Sequence, residues 1–308
     1  MYSLSMKLHP RAMATGALAI STLIYGLVWY PYRLLAEAGL NGIIATFLTD
    51  SITLILGLLF IRKHLYFYLK NKNISVDFLL VAIAFSSAWG NLGCVLAVIE
   101  GHVIKVMLLF YLSPLWTILF ARILLQEKLN KVGWGIMGLA FAGAIIMLYP
   151  AKAGWPLPEG RAEWYGLTAG MAFALANVLS RKSTHSVEIR SLSMWLGVVL
   201  LTGFILIFNH DTTVNLEALR SEYYWLIIFL VGIGIALASF FIQYGLTYLP
   251  ANQAMIILLC ELFVSALSAY FLAHEQMGWR EWIGGGLLIL SSLFADKMNA
   301  YEEKTSPI

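Results

Sequence analysis

The stretch at residues 107–127, MLLFYLSPLWTILFARILLQE, returns 148 residues later at 255–275 as MIILLCELFVSALSAYFLAHE. Both copies begin with methionine, are largely apolar and end on a glutamate. The same shift pairs Arg33 with Arg181 and Trp134 with Trp282. Self-similarity at one fixed shift indicates an internal repeat. The sequence therefore predicts two related halves.

The composition places both halves in a membrane. Of the 308 residues, 60% are hydrophobic and only 12% are charged, and the mean hydropathy is +0.79. Soluble domains carry about 25% charged residues. A spanning helix needs roughly 20 apolar residues, and spans of this length without alternation favour helices over a barrel. Ten such runs are predicted, at 13–34, 42–61, 76–99, 104–125, 132–149, 163–180, 191–208, 223–244, 251–272 and 281–296.

Five spans in each half predict an inverted repeat. An odd number of crossings places the second copy upside down in the bilayer, an arrangement typical of secondary transporters with a site near the midplane. The predicted fold is an all-α membrane protein of ten transmembrane helices in two inverted five-helix repeats. The predicted parts are a first repeat at 12–150, a periplasmic linker at 151–162, a second repeat at 163–298 and a cytoplasmic tail at 299–308.

The distribution of basic residues predicts the orientation. If the N-terminus is cytoplasmic, 14 of the 20 Lys and Arg residues fall on the inner side. Cytoplasmic loops are enriched in these residues, so both termini are predicted to be cytoplasmic and the chain a multi-pass protein of a bacterial inner membrane. The net charge of +3 is explained by these loops, and no nucleic-acid partner is expected.

The sequence contains no pattern typical of an enzyme or of a metal site. It has no phosphate-binding glycine loop followed by lysine, no histidine pair at metal spacing and no Gly-x-Ser-x-Gly elbow. The two cysteines, Cys94 and Cys260, lie inside apolar runs and are predicted to pack as small core residues. We therefore expect no enzymatic activity, no cofactor and no metal.

Two motifs resemble a known family. The segment 111–121, YLSPLWTILFA, followed by Gln126 and Glu127, resembles the fourth-span signature of the EamA-like branch of the drug/metabolite transporter superfamily. Cys260 and Glu261, the AHE at 273–275 and the WIGGG at 282–286 resemble its ninth- and tenth-span signature. The resemblance implies ten helices in two inverted halves that move small polar metabolites such as amino acids, most often outward, by alternating access.

The sequence departs from the family pattern in two places. The second-span arginine common in the family is absent, since Phe47 and Leu48 are followed by Thr49 and Asp50. The ninth-span proline is replaced by Leu262, whereas the fourth span keeps Pro114. The two half-sites are therefore expected to bend differently, with Pro114 as a hinge.

Glu261 is the leading candidate for transport chemistry. It lies about ten residues into its span, where an ionisable group costs on the order of 3 kcal/mol, so it should face a cavity or a partner. It could bind a substrate ammonium, exchange protons or both; a structural, hydrogen-bonded acid is the alternative.

Asp50 is the second intramembrane acid. It could be a second proton site or pair with Arg33 on the first span, and a polar helix contact is the alternative.

Polar and aromatic residues at helical spacing predict the inward faces. These side chains could line a cavity that binds substrate or could serve helix packing. The polar candidates are Ser87, Asn91, Asn177, Ser239 and Gln243, and the aromatic candidates are Tyr25, Trp29, Trp89, Tyr111, Trp116 and Tyr244.

The leading hypothesis is a secondary transporter that exports amino acids or related zwitterions. The alternatives are a proton-coupled antiporter of hydrophobic cations and a non-transporting membrane or flippase component. The expected partners are a small-molecule substrate, the lipid bilayer and, in the coupled mechanism, protons. The expected assembly is a monomer or a weak oligomer.

Overall fold

A computed structural model describes residues 10–71, 77–101, 103–148, 158–208, 220–274 and 276–298. The regular structure of these residues is helical. Most of the predicted linker, the predicted tail and Glu275 lie outside the described residues. The helices are α1 Pro10–Glu37, α2 Gly42–Asn71, α3 Phe78–Glu100, α4 Val103–Phe110, α5 Ser113–Phe120, α6 Lys131–Leu148, α7 Arg161–Lys182, α8 Val187–Phe208, α9 Glu222–Tyr248, α10 Ala251–Leu259, α11 Glu261–Leu272 and α12 Trp279–Leu293.

Eight segments of the described chain are long and apolar enough to cross a membrane. One of them joins α4, α5 and a π-helical turn at Ala121–Leu125, and another joins α10 and α11. The other two predicted spans correspond to α7, which carries charged residues at both ends, and α12, which has only 15 residues. The chain is thus an all-helical, multi-pass membrane protein.

The two repeated stretches are interrupted at matching positions. The first break leaves Tyr111 and Leu112 between α4 and α5, and the second leaves Cys260 between α10 and α11. Ser113 and Glu261, which begin the two following half-helices, are separated by the 148-residue repeat. Pro114 is compatible with a helix start. The second break forms without a proline, since Leu262 stands at the position that matches Pro114.

The carbonyls beside the two breaks have different neighbours, and Ile257 O also accepts the Cys260 N–H at 3.2 Å. The Thr22 hydroxyl of α1 donates a hydrogen bond to Ile257 O at 3.3 Å, beside the second break. At the first break, Gly170 of α7 lies against Phe110 O, and a β-carbon at this glycine would stand 2.3 Å from that oxygen. A hydroxyl therefore ties α1 to α10, while a missing side chain lets α7 approach α4.

The two halves are interleaved in a reciprocal way. Helix α3 packs on α7 and α8, and its counterpart α9 packs on α1 and α2. Likewise α1 contacts α10 and α11, while its counterpart α7 contacts α4 and α5. The main buried cluster draws from both halves, with Leu18 and Met137 from the first and Leu246, Ile256 and Leu288 from the second.

The bundle has two ends that differ in charge. The end that holds residues 127–131, 181–190, 247–251 and 295–298 is called the basic end. Hydrogen bonds join these segments, for example from Asn130 N to Met298 O at 3.0 Å. The opposite end holds residues 37–42, 100–105 and 158–163. Helix α5 runs towards the basic end and α11 away from it, so both half-helices begin inside the bundle.

Candidate functional site

Glu261 is the first residue of half-helix α11 and is partly exposed. The start of a helix carries a partial positive charge that favours a nearby carboxylate. Broken spans whose half-helices begin near mid-membrane are common at transporter substrate sites. Within the described chain Glu261 has no cationic partner, so its carboxyl is available to a ligand.

Three side chains lie within electrostatic range of Glu261. They are Tyr25 of α1, Cys94 of α3 and Tyr111 at the first break. We call Glu261 and these three residues the central site. It unites two helices of the first half and both broken spans. The structure thus brings together the predicted residues Glu261, Tyr25 and Tyr111.

Cys94 is a member of the central site that the sequence interpretation assigned to the core. Its position carried a signal, because Ser87, Asn91 and Cys94 are spaced i, i+4 and i+7 and share one face of α3. The Ser87 hydroxyl is buried and has no hydrogen-bond partner in the described chain. Asn91 is half-buried. One face of α3 therefore offers polar groups beside the carboxyl.

Two buried amides lie closer to the basic end. Asn177 of α7 is 3% exposed and Asn252 of α10 is 1% exposed, and both amide atoms of each find no partner among the described residues. Their chain neighbours Val178 and Ala251 pack in one cluster with Ala121, which places both amides between α7, α10 and the π-helical turn. Buried amides normally have partners. Asn252 was not predicted, although it is a polar residue at the start of an apolar span.

Two other polar candidates take part in helix contacts. Gln243 Nε2 donates to Ser180 Oγ at 3.2 Å and lies 2.6 Å from Met194 Sδ, while its Oε1 has no described partner. The Ser239 hydroxyl accepts from Trp195 Nε1 at 2.7 Å and donates to a carbonyl of its own helix. Ser239 therefore joins α9 to α8, and Gln243 keeps one free acceptor.

The predicted aromatic residues divide between helix contacts and the interior. Trp29 Nε1 donates to Ser268 Oγ at 2.8 Å, and Trp89 Nε1 donates to Thr168 Oγ1 at 3.2 Å. These two indoles join α1 to α11 and α3 to α7. Trp116 has a buried indole N–H with no partner in the described chain. Tyr244 packs against the main buried cluster and against Tyr248.

Asp50 of α2 is 2% exposed, and its Oδ2 finds no hydrogen-bond partner in the described part of the chain. Tyr25 and Tyr32 of α1 lie within its electrostatic range. The alternative pairing with Arg33 is wrong, because Arg33 forms an exposed ion pair with Glu37 at 3.2 Å. Asp50 is therefore close to the central site through Tyr25 but lies outside it.

An ionic cluster closes the basic end. Glu127 lies 3.6 Å from Arg181 of α7 and accepts a hydrogen bond from Ala251 N of α10 at 3.0 Å. Burial raises the pKa of the Glu127 carboxyl above its ordinary value, against the opposing effect of Arg181.

Arg190 completes this cluster and is 2% exposed. Its guanidinium donates to Ser180 O at 2.6 Å, to Gln243 O at 3.0 Å and to Thr247 Oγ1 at 2.5 Å. The side chain of one helix thus satisfies groups near the ends of α7 and α9.

A charged depression lies at the opposite end, beside Glu100 and Arg161. Lys105 donates to Glu159 at 2.8 Å and lies 3.7 Å from Glu163. The Lys105 ammonium lowers the pKa of the Glu159 carboxyl. The depression lies at the end of the bundle, away from both half-helix starts, and its Glu163 is paired with Lys105, so it is not our candidate site. No cluster of three potential metal ligands occurs within the described ranges.

Comparison with known proteins places the chain among transporters. Residues 160–295 match the model of the EamA-like transporter family. The uncharacterized transporter YojE of Bacillus subtilis (strain 168) is 25% identical over 266 residues, which cover 83% of this chain and 84% of YojE. The match confirms the resemblance read from the two motifs.

Two further relatives match shorter stretches. The S-adenosylmethionine uptake transporter of Rickettsia prowazekii (strain Madrid E) is 24% identical, with 63% of this chain and 61% of that protein covered. Protein RarD of Streptomyces exfoliatus is 25% identical, with 52% of this chain and 48% of that protein covered. In both, the match spans less than two thirds of the relative.

The fold also occurs in a solved structure. A crystal structure of a protein with 15% sequence identity superposes with a TM-score of 0.74, covering 92% of this chain and 96% of that one. At this identity the likeness shows a shared fold alone.

Proposed function

We propose that this chain, a membrane transporter of the EamA-like family, exports amino acids or related zwitterions by alternating access. The observation that carries the proposal is the contrast between Ser113 and Glu261. These residues occupy matching positions at the starts of α5 and α11, yet one is neutral and the other acidic. Both half-helices begin inside the bundle, so one site can offer opposite charges to the two ends of a small molecule.

The two half-helix starts fit the two charges of a zwitterion. The Glu261 carboxylate binds the substrate ammonium. The start of α5, where Ser113 adds no negative charge, attracts the substrate carboxylate through the positive end of the helix dipole. Pro114 has no N–H and the Leu115 N–H is bonded to Leu112 O, so the dipole is the main contribution of this helix start. Asn91 and Ser87 on α3 supply further hydrogen bonds, and Tyr25 and Tyr111 pack against the substrate. Trp116 adds a buried donor that has no partner among the described residues.

The unpartnered amides support a route from the central site to the basic end. Asn177, Asn252 and the free acceptor of Gln243 are hydrogen-bonding groups that lack described partners in this conformation. In our proposal they meet substrate or water when the basic end opens. The basic end is then cytoplasmic, as the excess of Lys and Arg there favours, and both termini lie on that side.

The reciprocal packing of the two halves supports ten transmembrane helices in two inverted five-helix repeats, with α7 and α12 as the remaining spans. The interruptions at Leu112 and Cys260 are the points about which the half-helices rock, with Pro114 beside the first. We further propose that the transporter works as a monomer or weak oligomer in a bacterial inner membrane.

The substrate class follows from the charge pattern. A zwitterion should bind better than an amine or a carboxylate alone, because only a zwitterion uses both half-helix starts. The name of the Rickettsia relative makes S-adenosylmethionine a further candidate substrate. Its methionine part is an amino acid. That relative is named for uptake, so both directions of transport need to be measured.

The test is counterflow in proteoliposomes that are preloaded with an unlabelled candidate and given its labelled form outside. The candidates are the amino acids, S-adenosylmethionine, and matched amine and carboxylate analogues that lack one charge. The variants are Glu261→Gln and Ser113→Asp, with Glu222→Gln as the control because Glu222 is an exposed glutamate in the first turn of α9.

We expect wild type and Glu222→Gln to accumulate zwitterions and Glu261→Gln to lose at least tenfold in initial rate. Ser113→Asp should shift the preference from zwitterions to amines. Full transport by Glu261→Gln would refute its assignment. Accumulation of tetraphenylphosphonium in place of amino acids would favour the alternative of a hydrophobic-cation antiporter, which the carboxyl beside Tyr25 and Tyr111 would also suit.

A further inference from the structure

Asp50 is an intramembrane acid that the proposed substrate site does not use. It lies eight residues, or about 12 Å along the helix, from the start of α2 at the opposite end. One of its carboxylate oxygens is fully buried without a described partner. An ionised carboxylate in such a place has a high free-energy cost, so the surroundings favour the protonated form.

Thr46 lies one turn from Asp50 on the same face of α2. It is 1% exposed, and its hydroxyl also has no hydrogen-bond partner within the described ranges. Tyr32 of α1 packs on this face, and its hydroxyl is 2.7 Å from Thr49 Oγ1. Asp50 and Thr46 also interact with the Tyr32 hydroxyl. Asp50 and two hydroxyl-bearing side chains thus form a small polar site between α1 and α2.

The charged and titratable groups around Asp50 are few. Helix α1 contributes Tyr25 and Tyr32, and its Arg33 forms an ion pair with Glu37. Among the described residues of the other helices packed on α2, the charged side chains are Glu188 and Arg190 in the first turn of α8, Glu222 in the first turn of α9 and Glu100 at the end of α3. Helix α2 is continuous here, so its carbonyls are used within the helix. A metal ion would find one carboxylate and a few hydroxyls, whereas a proton needs only the carboxylate.

Tyr25 connects this site to Glu261. Both Asp50 and Glu261 act on the tyrosine electrostatically, so Tyr25 is a neighbour that the two acids share. Tyr25 and Cys260, the residue before Glu261, pack against the same buried cluster. Two acids that share one neighbour influence each other's protonation.

From this arrangement we propose that Asp50 is a proton-binding site, separate from the substrate site and coupled to Glu261 across Tyr25. The role of the proton as the coupling ion for export rests on the proposed function. Proton binding by Asp50 does not depend on it. A proton that enters from the opposite end binds Asp50 and makes it neutral. Its loss restores a negative charge near Glu261 and changes the affinity of that carboxyl for an ammonium.

Proton binding is tested first without substrate. Infrared difference spectra of the lipid-reconstituted protein are recorded between acidic and alkaline pH for wild type, Asp50→Asn, Glu261→Gln and Tyr25→Phe. We expect a carboxylic acid C=O band that disappears on alkalinisation, is absent from Asp50→Asn and remains in Glu261→Gln. Tyr25→Phe should keep this band and shift the pH at which it disappears. A spectrum in which Asp50→Asn matches wild type at every pH would overturn the proton site, whether or not a substrate is known.

Coupling is tested in the counterflow assay with and without a pH gradient. Asp50→Asn should lose at least tenfold in gradient-driven accumulation relative to its exchange at equal pH, whereas Glu261→Gln should lose both. An unchanged gradient response in Asp50→Asn would overturn the coupling role. Absence of wild-type exchange for every zwitterion would instead count against the proposed function, and the infrared result for Asp50 would stand by itself.

Discussion

Glu127 and Arg181 join the two halves at the basic end. Glu127 follows the fourth predicted span, and Arg181 lies in the last turn of α7. Their side chains are 3.6 Å apart. The other Glu127 oxygen accepts the Ala251 N–H at the start of α10. One carboxyl of the first half therefore holds two segments of the second half, at the end where Asn177 and Asn252 are enclosed.

Replacement of Glu127 by alanine should loosen the start of α10. The variant loses an ion pair and the acceptor for an N-terminal N–H, a change that costs about 1 kcal/mol in helices. Hydrogen exchange measured by mass spectrometry should become several-fold faster over residues 250–256. Glu222→Ala, at the first turn of α9, serves as the control. Equal exchange in wild type and Glu127→Ala would show that the contact does not hold this end.

The same contact should respond to pH. Burial raises the pKa of Glu127, so acidification protonates this carboxyl before an exposed glutamate and removes the charge that attracts Arg181. A raised pKa in the folded state means that the contribution of this group to stability is present at low pH and lost as pH rises through the folded-state pKa. In the locally opened state Glu127 meets solvent and has the lower pKa, so acidification is expected to favour the closed contact as well as the folded protein.

The check is hydrogen exchange over residues 250–256 as a function of pH, corrected for the intrinsic rate. Wild type should show less opening as the pH falls, and Glu127→Gln should show no such change because it cannot titrate. A corrected profile that is identical in both proteins would exclude Glu127 as the cause.

The sequence predicted the helical class, most spans and the repeat of residues 107–127 at 255–275, because hydrophobic run length and a fixed repeat can be read from a single sequence. Apart from a hinge at Pro114, the breaks within these two stretches were not predicted. It also predicted that Glu261, Tyr25 and Tyr111 matter, and the structure places them together. The lesser apolar character of α7 was not foreseen, since its run was counted as a span on length.

Partner choice between helices could not be predicted. Trp29 and Trp89 were candidates for an aromatic pocket, yet their indoles bind Ser268 and Thr168 on other helices. Glu127 pairs with Arg181 on a helix of the other half. Such contacts depend on which helices meet, and residues more than 50 positions apart carry no joint signal in a single sequence.

Arg190 should be the most sensitive basic residue for stability. Its replacement by methionine removes the three hydrogen bonds that it donates to Ser180 O, Gln243 O and Thr247 Oγ1. Loss of a buried, hydrogen-bonded charge of this kind costs about 3 kcal/mol. Thermal unfolding in detergent should show a clear fall in midpoint for Arg190→Met. The matched change Arg161→Met, at an exposed helix start, should leave it nearly unchanged, and an equal effect of the two would contradict this role.

Gly170 should be the position where a single added carbon separates α7 from α4. A β-carbon there would lie 2.3 Å from Phe110 O, a backbone atom that cannot move aside without shifting α4. Overpacking of this kind costs about 1–3 kcal/mol, so Gly170→Ala should lower the unfolding midpoint. Gly138→Ala is the matched control, because a β-carbon at Gly138 of α6 meets no atom within 4 Å, and alanine favours the helix by about 1 kcal/mol. The expected order of midpoints is Gly138→Ala at or above wild type and Gly170→Ala below it. The reverse order would mean that α7 does not approach α4 as closely as the structure describes.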